Sequence, residues 1–356
     1  MADLLDIVKA QVRQLRPYSL RPERARVKLN QNENPWDVPL EIKEETLSRI
    51  TSRAWSRYPD FVTRGLHEQL AKFSGWKTEG VLSGNGSNEL IQAVLMVTVG
   101  ERKKVLISEP TFALYRQITS VLGGELISVS LTPELTYDIK ALRAVIRSAD
   151  PDVTIICSPN NPTGCVIGHA DLDSLLDETR GLIVVDEAYF EFSGQTDVPL
   201  LERHSNLVVL RTFSKAMALA GLRVGYLMAA PELVREISKA VLPYNLNVIS
   251  QTAAEVAIEM YESKLQPLIA AITSERDRLY RELQRIPGLT PVPSRANFMV
   301  VRSKVDPRQV FEGLLGREIL IRDVSSYPML ADYFRISVGT MEENNLLLQA
   351  LEEICR

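Results

Sequence analysis

The sequence predicts an α/β fold, with a mostly parallel central sheet flanked by helices and a smaller α+β unit following it. Three observations predict it. Short apolar runs, Val105 to Ser108, Thr154 to Cys157, Leu182 to Val185 and Leu207 to Leu210, read as buried strands. Stretches at helical spacing, such as Asp171 to Thr179, lie between several of them, and alternating strands and helices build a mostly parallel sheet. From about residue 245 the pattern changes: a helical region from Ser250 to about Ile286 precedes shorter strands.

Taken in order, residues 1 to about 30 are polar with interspersed apolar positions and read as a short helix and an extended arm without a core of its own. Leu29-Asn-Gln-Asn-Glu-Asn-Pro-Trp36 and Ser56-Arg-Tyr-Pro-Asp60 read as loops, because Asn and Pro clusters mark turns. An amphipathic helix follows from Gly65 to Phe73. Val81-Leu-Ser-Gly-Asn-Gly-Ser-Asn-Glu89 is a Gly-rich turn opening a helix through Leu90, Ile91, Val94 and Leu95. Such a turn presents free N–H groups that suit a phosphate; an ordinary helix cap through Ser87 or Asn88 explains it as well. The late strands are expected at Phe298 to Val301, Glu318 to Ile321 and Tyr333 to Val338, and a last helix at Glu342 to Ile354. The expected organisation is an arm at 1–30 joining the small domain, a large ligand-binding domain at 31–245 and a small domain at 246–356.

Bulk properties narrow the function. The 356 residues are 45% hydrophobic and 24% charged with a formal net charge of -4, an ordinary globular balance. No basic run suggests a nucleic-acid partner. No apolar stretch is long enough to span a bilayer and the N-terminus lacks signal-peptide features, so the expected location is cytoplasmic. Cys157, Cys165 and Cys355 form no metal or disulfide pattern, and His67, His169 and His204 are scattered, so no metal site is expected and the histidines read as surface or packing residues.

The polar residues of interest follow directly after strands, where ligands bind in open α/β sheets. Lys215 lies in Arg211-Thr-Phe-Ser-Lys-Ala-Met-Ala-Leu-Ala-Gly-Leu-Arg-Val-Gly225. A lysine in an apolar, small-residue setting loses preference for its charged form and can attack a carbonyl, while Thr212, Ser214 and Arg223 can hold a phosphate. A solvated lysine in a plain strand–loop–helix reads equally well from this stretch alone. Asp186 closes an apolar strand as a helix cap or as a counter-ion to a pyridine nitrogen, and Tyr189 is spaced to face the same site. Asn161 lies in a run that an ordinary turn also explains.

Together, Asn161-Pro-Thr-Gly164, Asp186-Glu-Ala-Tyr189, Ser214-Lys215 and Arg223 resemble, in this order, the fold-type I pyridoxal-phosphate aminotransferases of the aspartate aminotransferase superfamily. Arg16-Pro-Tyr18, Leu29 through Asn-Glu-Asn-Pro35, Arg57-Tyr-Pro59, Gly84-Asn-Gly-Ser87, Ala220-Gly-Leu-Arg223, Arg322-Asp323 and Phe334-Arg335-Ile-Ser-Val-Gly339 are similar to the histidinol-phosphate aminotransferase subgroup. The resemblance covers nearly the whole chain.

It implies pyridoxal 5'-phosphate as cofactor, held covalently by Lys215, which also shuttles the substrate proton. Asp186 would pair with the ring nitrogen, Tyr189 and Asn161 with the ring's 3-oxygen, and Phe112 would stack on the ring. Gly86, Ser87, Asn88, Thr212, Ser214 and Arg223 would cradle the phosphate. Arg335 and Arg322 would bind substrate anions, and Tyr18 and Asn32 to Asn34 would line the entrance. Tyr58 would reach the cofactor phosphate of a neighbouring subunit, implying a homodimer with shared sites. The implied reaction is transamination of L-histidinol phosphate with 2-oxoglutarate, giving imidazole acetol phosphate and L-glutamate, in histidine biosynthesis. The rivals are an aromatic amino acid aminotransferase and a threonine-phosphate decarboxylase of cobalamin biosynthesis. Three departures stand out: Phe112 where the family usually has tyrosine, Asn88 where it usually has aspartate, and a glycine-free stretch between Arg322 and Arg335.

Overall fold

The computed structural model describes residues 4–17, 23–60 and 63–355. A short strand β1 (Val27–Lys28) precedes the main run: β2 (Val81–Asn85), β3 (Lys104–Glu109), β4 (Glu125–Ser130), β5 (Val153–Cys157), β6 (Leu182–Asp186), β7 (Leu207–Thr212) and β8 (Val224–Ala229). These seven form one sheet in the order β2-β8-β7-β6-β5-β3-β4. All neighbours are parallel except at β8, which runs antiparallel to β2 and to β7.

The apolar runs are continuous because both faces of this sheet are buried. Successive residues feed opposite cores: Ile156, Val185 and Val209 pack on one side, Ile155, Val184 and Val208 on the other. The four strands expected from these runs appear with small extensions. The expected Gly-rich turn near residue 84 is the end of a fifth, β2, and the segment after Arg223 is a sixth, β8.

The later strands are β9 (Leu289–Pro291), β10 (Phe298–Ser303), β11 (Ile319–Leu320), β12 (Arg322–Asp323) and β13 (Tyr333–Ser337). β12, β13, β10 and β9 form an antiparallel sheet in that order. β11 pairs instead with β1, in parallel, which brings the early chain onto the late core, where Val27 and Leu29 are buried. The helix Met341–Ile354 covers this core and starts with a reciprocal cap between Thr340 and Glu343.

The long helical region is not one helix. Val248–Glu259 is followed by a π-type turn at Tyr261–Leu265 and then by Gln266–Leu283, whose first turn contains Pro267. Proline has no N–H to continue the preceding ladder. Ala253, Ala254, Val256 and Leu265 pack into the large sheet's core, whereas Leu279 and Leu283 belong to the late one. We therefore propose that the division between the two units falls within Gln266–Leu283 rather than at residue 246.

β8 lies against the start of the helix Ser87–Thr98. A Cβ on Gly225 would stand 2.3 Å from Ser87 N and 2.6 Å from the Gly86 carbonyl carbon, and both are backbone. Gly225→Ala is expected to lower the unfolding free energy by about 1–3 kcal/mol through overpacking; the urea midpoint measures it, and an unchanged midpoint would contradict the close approach.

Candidate active site

The carboxyl ends of β5, β6 and β7 open into a cavity of about 430 Å³ whose far wall comes from residues 30–33 and from β12 and β13. Lys215 follows β7 and points its ammonium at the Gln31 carbonyl, 2.9 Å away. Burial within the cavity and, next, the nearby Arg335 lower its pKa to about 8, with Glu33 opposing the shift.

Asp186 ends β6, opposite Cys157 of β5, and is buried. Its two carboxylate oxygens accept from neutral donors: the Tyr115 hydroxyl at 2.7 Å and the Ala188 N–H at 3.1 Å. Burial raises its pKa, and the Tyr115 bond opposes that. Tyr189 accepts from the amides of Asn32 at 3.1 Å and Asn161 at 3.3 Å. Burial pushes its phenol well above the usual range, so it stays protonated. Asn161 also accepts from Arg335 Nη1 at 2.6 Å, and Arg335 Nη2 donates to Asn30 O at 2.7 Å.

At the other end, Gly86 takes φ +78° and the helix Ser87–Thr98 begins. Ser87 and Asn88 line the cavity with Thr212, Ser214 and Arg223. Arg223 donates to Ser214 Oγ at 3.1 Å and to Ala220 O at 3.2 Å, both neutral acceptors. A Cβ on Gly86 would fall 2.5 Å from Arg223 Nη2, so only glycine leaves room for the guanidinium there. With asparagine at 88, the negative charge on this helix start comes from Glu89, which accepts from Asn85 N at 2.6 Å and Asn245 Nδ2 at 2.7 Å.

Arg322 and Arg335 are direct cross-strand partners on β12 and β13. Like charges facing across a ladder repel, which an anion between them offsets. Phe112 lines the cavity and meets Tyr115 edge-on, ring centres 5.6 Å apart.

The chain thus brings together Ser87, Asn88, Phe112, Asn161, Asp186 and Tyr189 with Thr212, Ser214, Lys215, Arg223, Arg322 and Arg335. Asn32 is there too, but Asn34 is not: its amide donates to Ala216 O at 3.1 Å and its carbonyl oxygen accepts from Trp36 N, so its side chain fastens the loop. Tyr58 lies outside the cavity, 81% exposed and stacked on Tyr244 at 4.5 Å. Tyr18 lies outside the described residues. Sequence reasoning missed Asn30, Gln31, Tyr115, Gln117 and Tyr327, all of which line the cavity. Tyr115 left one signal, its place one helical turn after Phe112. The histidines lie outside the cavity: His67 bonds Ser83 and Thr63, His204 is buried and meets Asp173, and His169 is exposed and meets Asp197.

Residues 24–351 match the family Aminotransferase class I and II. The chain belongs to this family. It is 37% identical over 351 residues to the histidinol-phosphate aminotransferase of Chlorobium phaeovibrioides, covering 98% of this chain and 97% of that one. It is 35% identical over 349 residues to the histidinol-phosphate aminotransferase of Thermoanaerobacter pseudethanolicus, covering 98% and 99%. In fold it is similar to the crystal structure of histidinol-phosphate aminotransferase from Sinorhizobium meliloti in complex with pyridoxal-5'-phosphate, with a TM-score of 0.88, 23% identity and coverage of 98% and 97%.

This aminotransferase is therefore a pyridoxal-phosphate-dependent enzyme, and its cavity fits that cofactor. Asp186 is a buried carboxylate whose protein donors are both neutral, as a cationic ring nitrogen requires. Arg223, two hydroxyls and a helix start at the opposite end suit a phosphate dianion. The lowered pKa of Lys215 makes its amine reactive near neutrality. An amine-directed acylating reagent should modify Lys215 of the cofactor-free protein at a rate half-maximal near pH 8, because the neutral fraction grows as pH rises through that value. Peptide mapping follows it; a midpoint near 10.5, as for an exposed lysine, would contradict the dry setting.

Proposed function

We propose that this enzyme transaminates L-histidinol phosphate with 2-oxoglutarate, giving imidazole acetol phosphate and L-glutamate in histidine biosynthesis. The observation that carries the reading is the pair of facing arginines, Arg322 and Arg335, on the wall of the cavity that also holds Lys215. Both proposed substrates are anionic, and the relatives above 30% identity carry this activity in their names.

When bound, pyridoxal phosphate supplies an electron sink for the carbon that bears the amine. Lys215 would hold the aldehyde carbon of the cofactor, and its amine would move the proton at the substrate's amine-bearing carbon. Asp186 holds positive charge at the ring nitrogen. Asn161 and Tyr189 would donate to the ring oxygen, and the Phe112 ring would pack against the cofactor. Ser87, Asn88, Thr212, Ser214 and Arg223, with the backbone at Gly86, hold the phosphate. Arg335 grips a carboxylate or phosphate by two parallel bonds, and Arg322 assists. Among the described residues no helix is long and apolar enough to cross a membrane; we place the enzyme in the cytoplasm. We infer a homodimer in which Tyr58, exposed like Trp55 and Leu242 and stacked on Tyr244, reaches the neighbour's phosphate site.

Two measurements test the reading. Presented with a panel of amines and 2-oxoglutarate, the enzyme should form glutamate fastest from histidinol phosphate. A preference for aromatic amino acids, or carbon dioxide release from threonine phosphate, would replace the assignment with one of its rivals. Lys215→Ala should lower turnover by about 10²–10⁴-fold or more while circular dichroism is unchanged; near-normal turnover would remove Lys215 from the chemistry.

A further inference from the structure

We propose that Tyr115 is a positioning residue that keeps Asp186 ionised and fixes the orientation of its carboxylate toward the cofactor's ring nitrogen. Tyr115 is 0% exposed, and its hydroxyl donates to Asp186 Oδ2 at 2.7 Å across 71 residues of chain. Asp186 Oδ1 is held separately by the Ala188 N–H. One donor on each oxygen locks the rotation of the carboxylate while leaving a lone pair on each for the cavity, which Asp186 and Tyr115 both line.

The hydroxyl is needed because the other groups around Asp186 do not supply a comparable donor. Cys157, opposite on β5, is a buried thiol that donates to Pro159 O. Glu187, the next residue, is a carboxylate paired with Arg211, and its charge pushes Asp186 toward protonation. Lys215 favours the ionised form from a distance, but its own ammonium is directed at Gln31 O. A buried carboxylate in this setting drifts toward the neutral acid, which cannot hold a cationic ring nitrogen. Tyr115 can serve as a lasting donor because burial and the adjacent carboxylate keep its phenol protonated. The same helix, Ala113–Leu122, follows directly on Phe112, so one turn of chain presents the ring-covering side chain and the support for Asp186.

This inference rests on the assignment of Asp186 to the ring nitrogen. Its test is a double-mutant cycle on the cofactor-loaded enzyme with Tyr115→Phe, Asp186→Asn and the pair. Tyr115→Phe keeps the ring that packs edge-on against Phe112. Equilibrium dialysis should show cofactor affinity weakened about tenfold by Tyr115→Phe, the size expected for removing a hydrogen bond to a buried charged group. The acid-side transition in the absorbance of bound cofactor should move to higher pH, because a carboxylate that has lost a donor protonates sooner. In the Asp186→Asn background the same tyrosine change should have little further effect on either readout. A Tyr115→Phe enzyme with unchanged affinity and unchanged titration overturns the proposal. So does an equal loss in both backgrounds, which is what a purely structural role gives. Should Asp186→Asn itself leave affinity and spectrum intact, the assignment of Asp186 fails instead. Thermal unfolding of each variant, with and without cofactor, reports the folded fraction so that affinities are compared per folded molecule.

Discussion

The backbone of residues 29–34 has polar groups to satisfy deep between two sheets, and it does so from both. Leu29 O accepts from Ser337 N and Asn30 O from Arg335, on β13. Gln31 O accepts from Lys215, beyond β7 of the large sheet. Asn32 N donates to Ser337 Oγ while its carbonyl accepts from Asn297. Leaving such a buried group unpaired costs about 1–3 kcal/mol, so each bond constrains where both sheets lie. The consequence for chemistry is direct. Lys215 and Arg335, which both line the cavity, are spaced by one short piece of extended chain, and Tyr189 is tied to the same piece through Asn32.

This segment also shows where sequence reading stops. An Asn- and Pro-rich stretch reads as a turn because its side chains favour turns. What makes it a strap is the set of partners at residues 215, 297, 335 and 337, and no local pattern announces them. The strands were legible for the opposite reason. Two buried faces demand unbroken apolar runs, and β3, β5, β6 and β7 have them. β2 was hidden because Gly84, Asn85 and Gly86 look like a loop, although Gly84 and Asn85 complete a ladder with β8. The residues at strand ends that line the cavity were readable from their order along the chain. Asn34 was misassigned because proximity in sequence to Asn32 says nothing about which way an amide turns, and Tyr115 was missed because its partner is a strand away. Tyr58 stands outside the cavity of its own chain, stacked on Tyr244, and nothing in its local sequence announces that partner.

The polar interior behind the site follows a second rule, that a buried charge needs a partner. Arg211 leaves β7 on the side away from Lys215 and pairs with Glu187 at 2.9 Å, both almost fully buried. Its guanidinium also donates to Thr196 and lies 3.6 Å over the Phe190 ring. Glu187 in turn accepts from Asp197 N, which anchors the loop after the short helix Phe190–Ser193. The two residues adjacent in sequence, Asp186 and Glu187, therefore face opposite ways: one toward the cavity, the other into a saturated network. That alternation is the ordinary period of a strand carried one step beyond its end.

Burial is the first cause of the low pKa of Lys215, ahead of Arg335. The reactivity of the lysine thus depends on dry walls more than on the neighbouring cation. Phe112 belongs to those walls, and the phenylalanine found where the resembling family usually carries tyrosine removes a hydroxyl without opening the cavity. Such an exchange keeps the desolvation that lowers the lysine and leaves Tyr115, one turn on, as the hydroxyl of that helix that serves the site. The charge pattern then divides cleanly along the cavity. Arg223 and a helix start stand at one end, the facing arginines at the other, and the carboxylate of Asp186 lies beneath, held by two neutral donors. A molecule, or a pair of molecules, that is anionic at both ends and cationic in between matches this pattern.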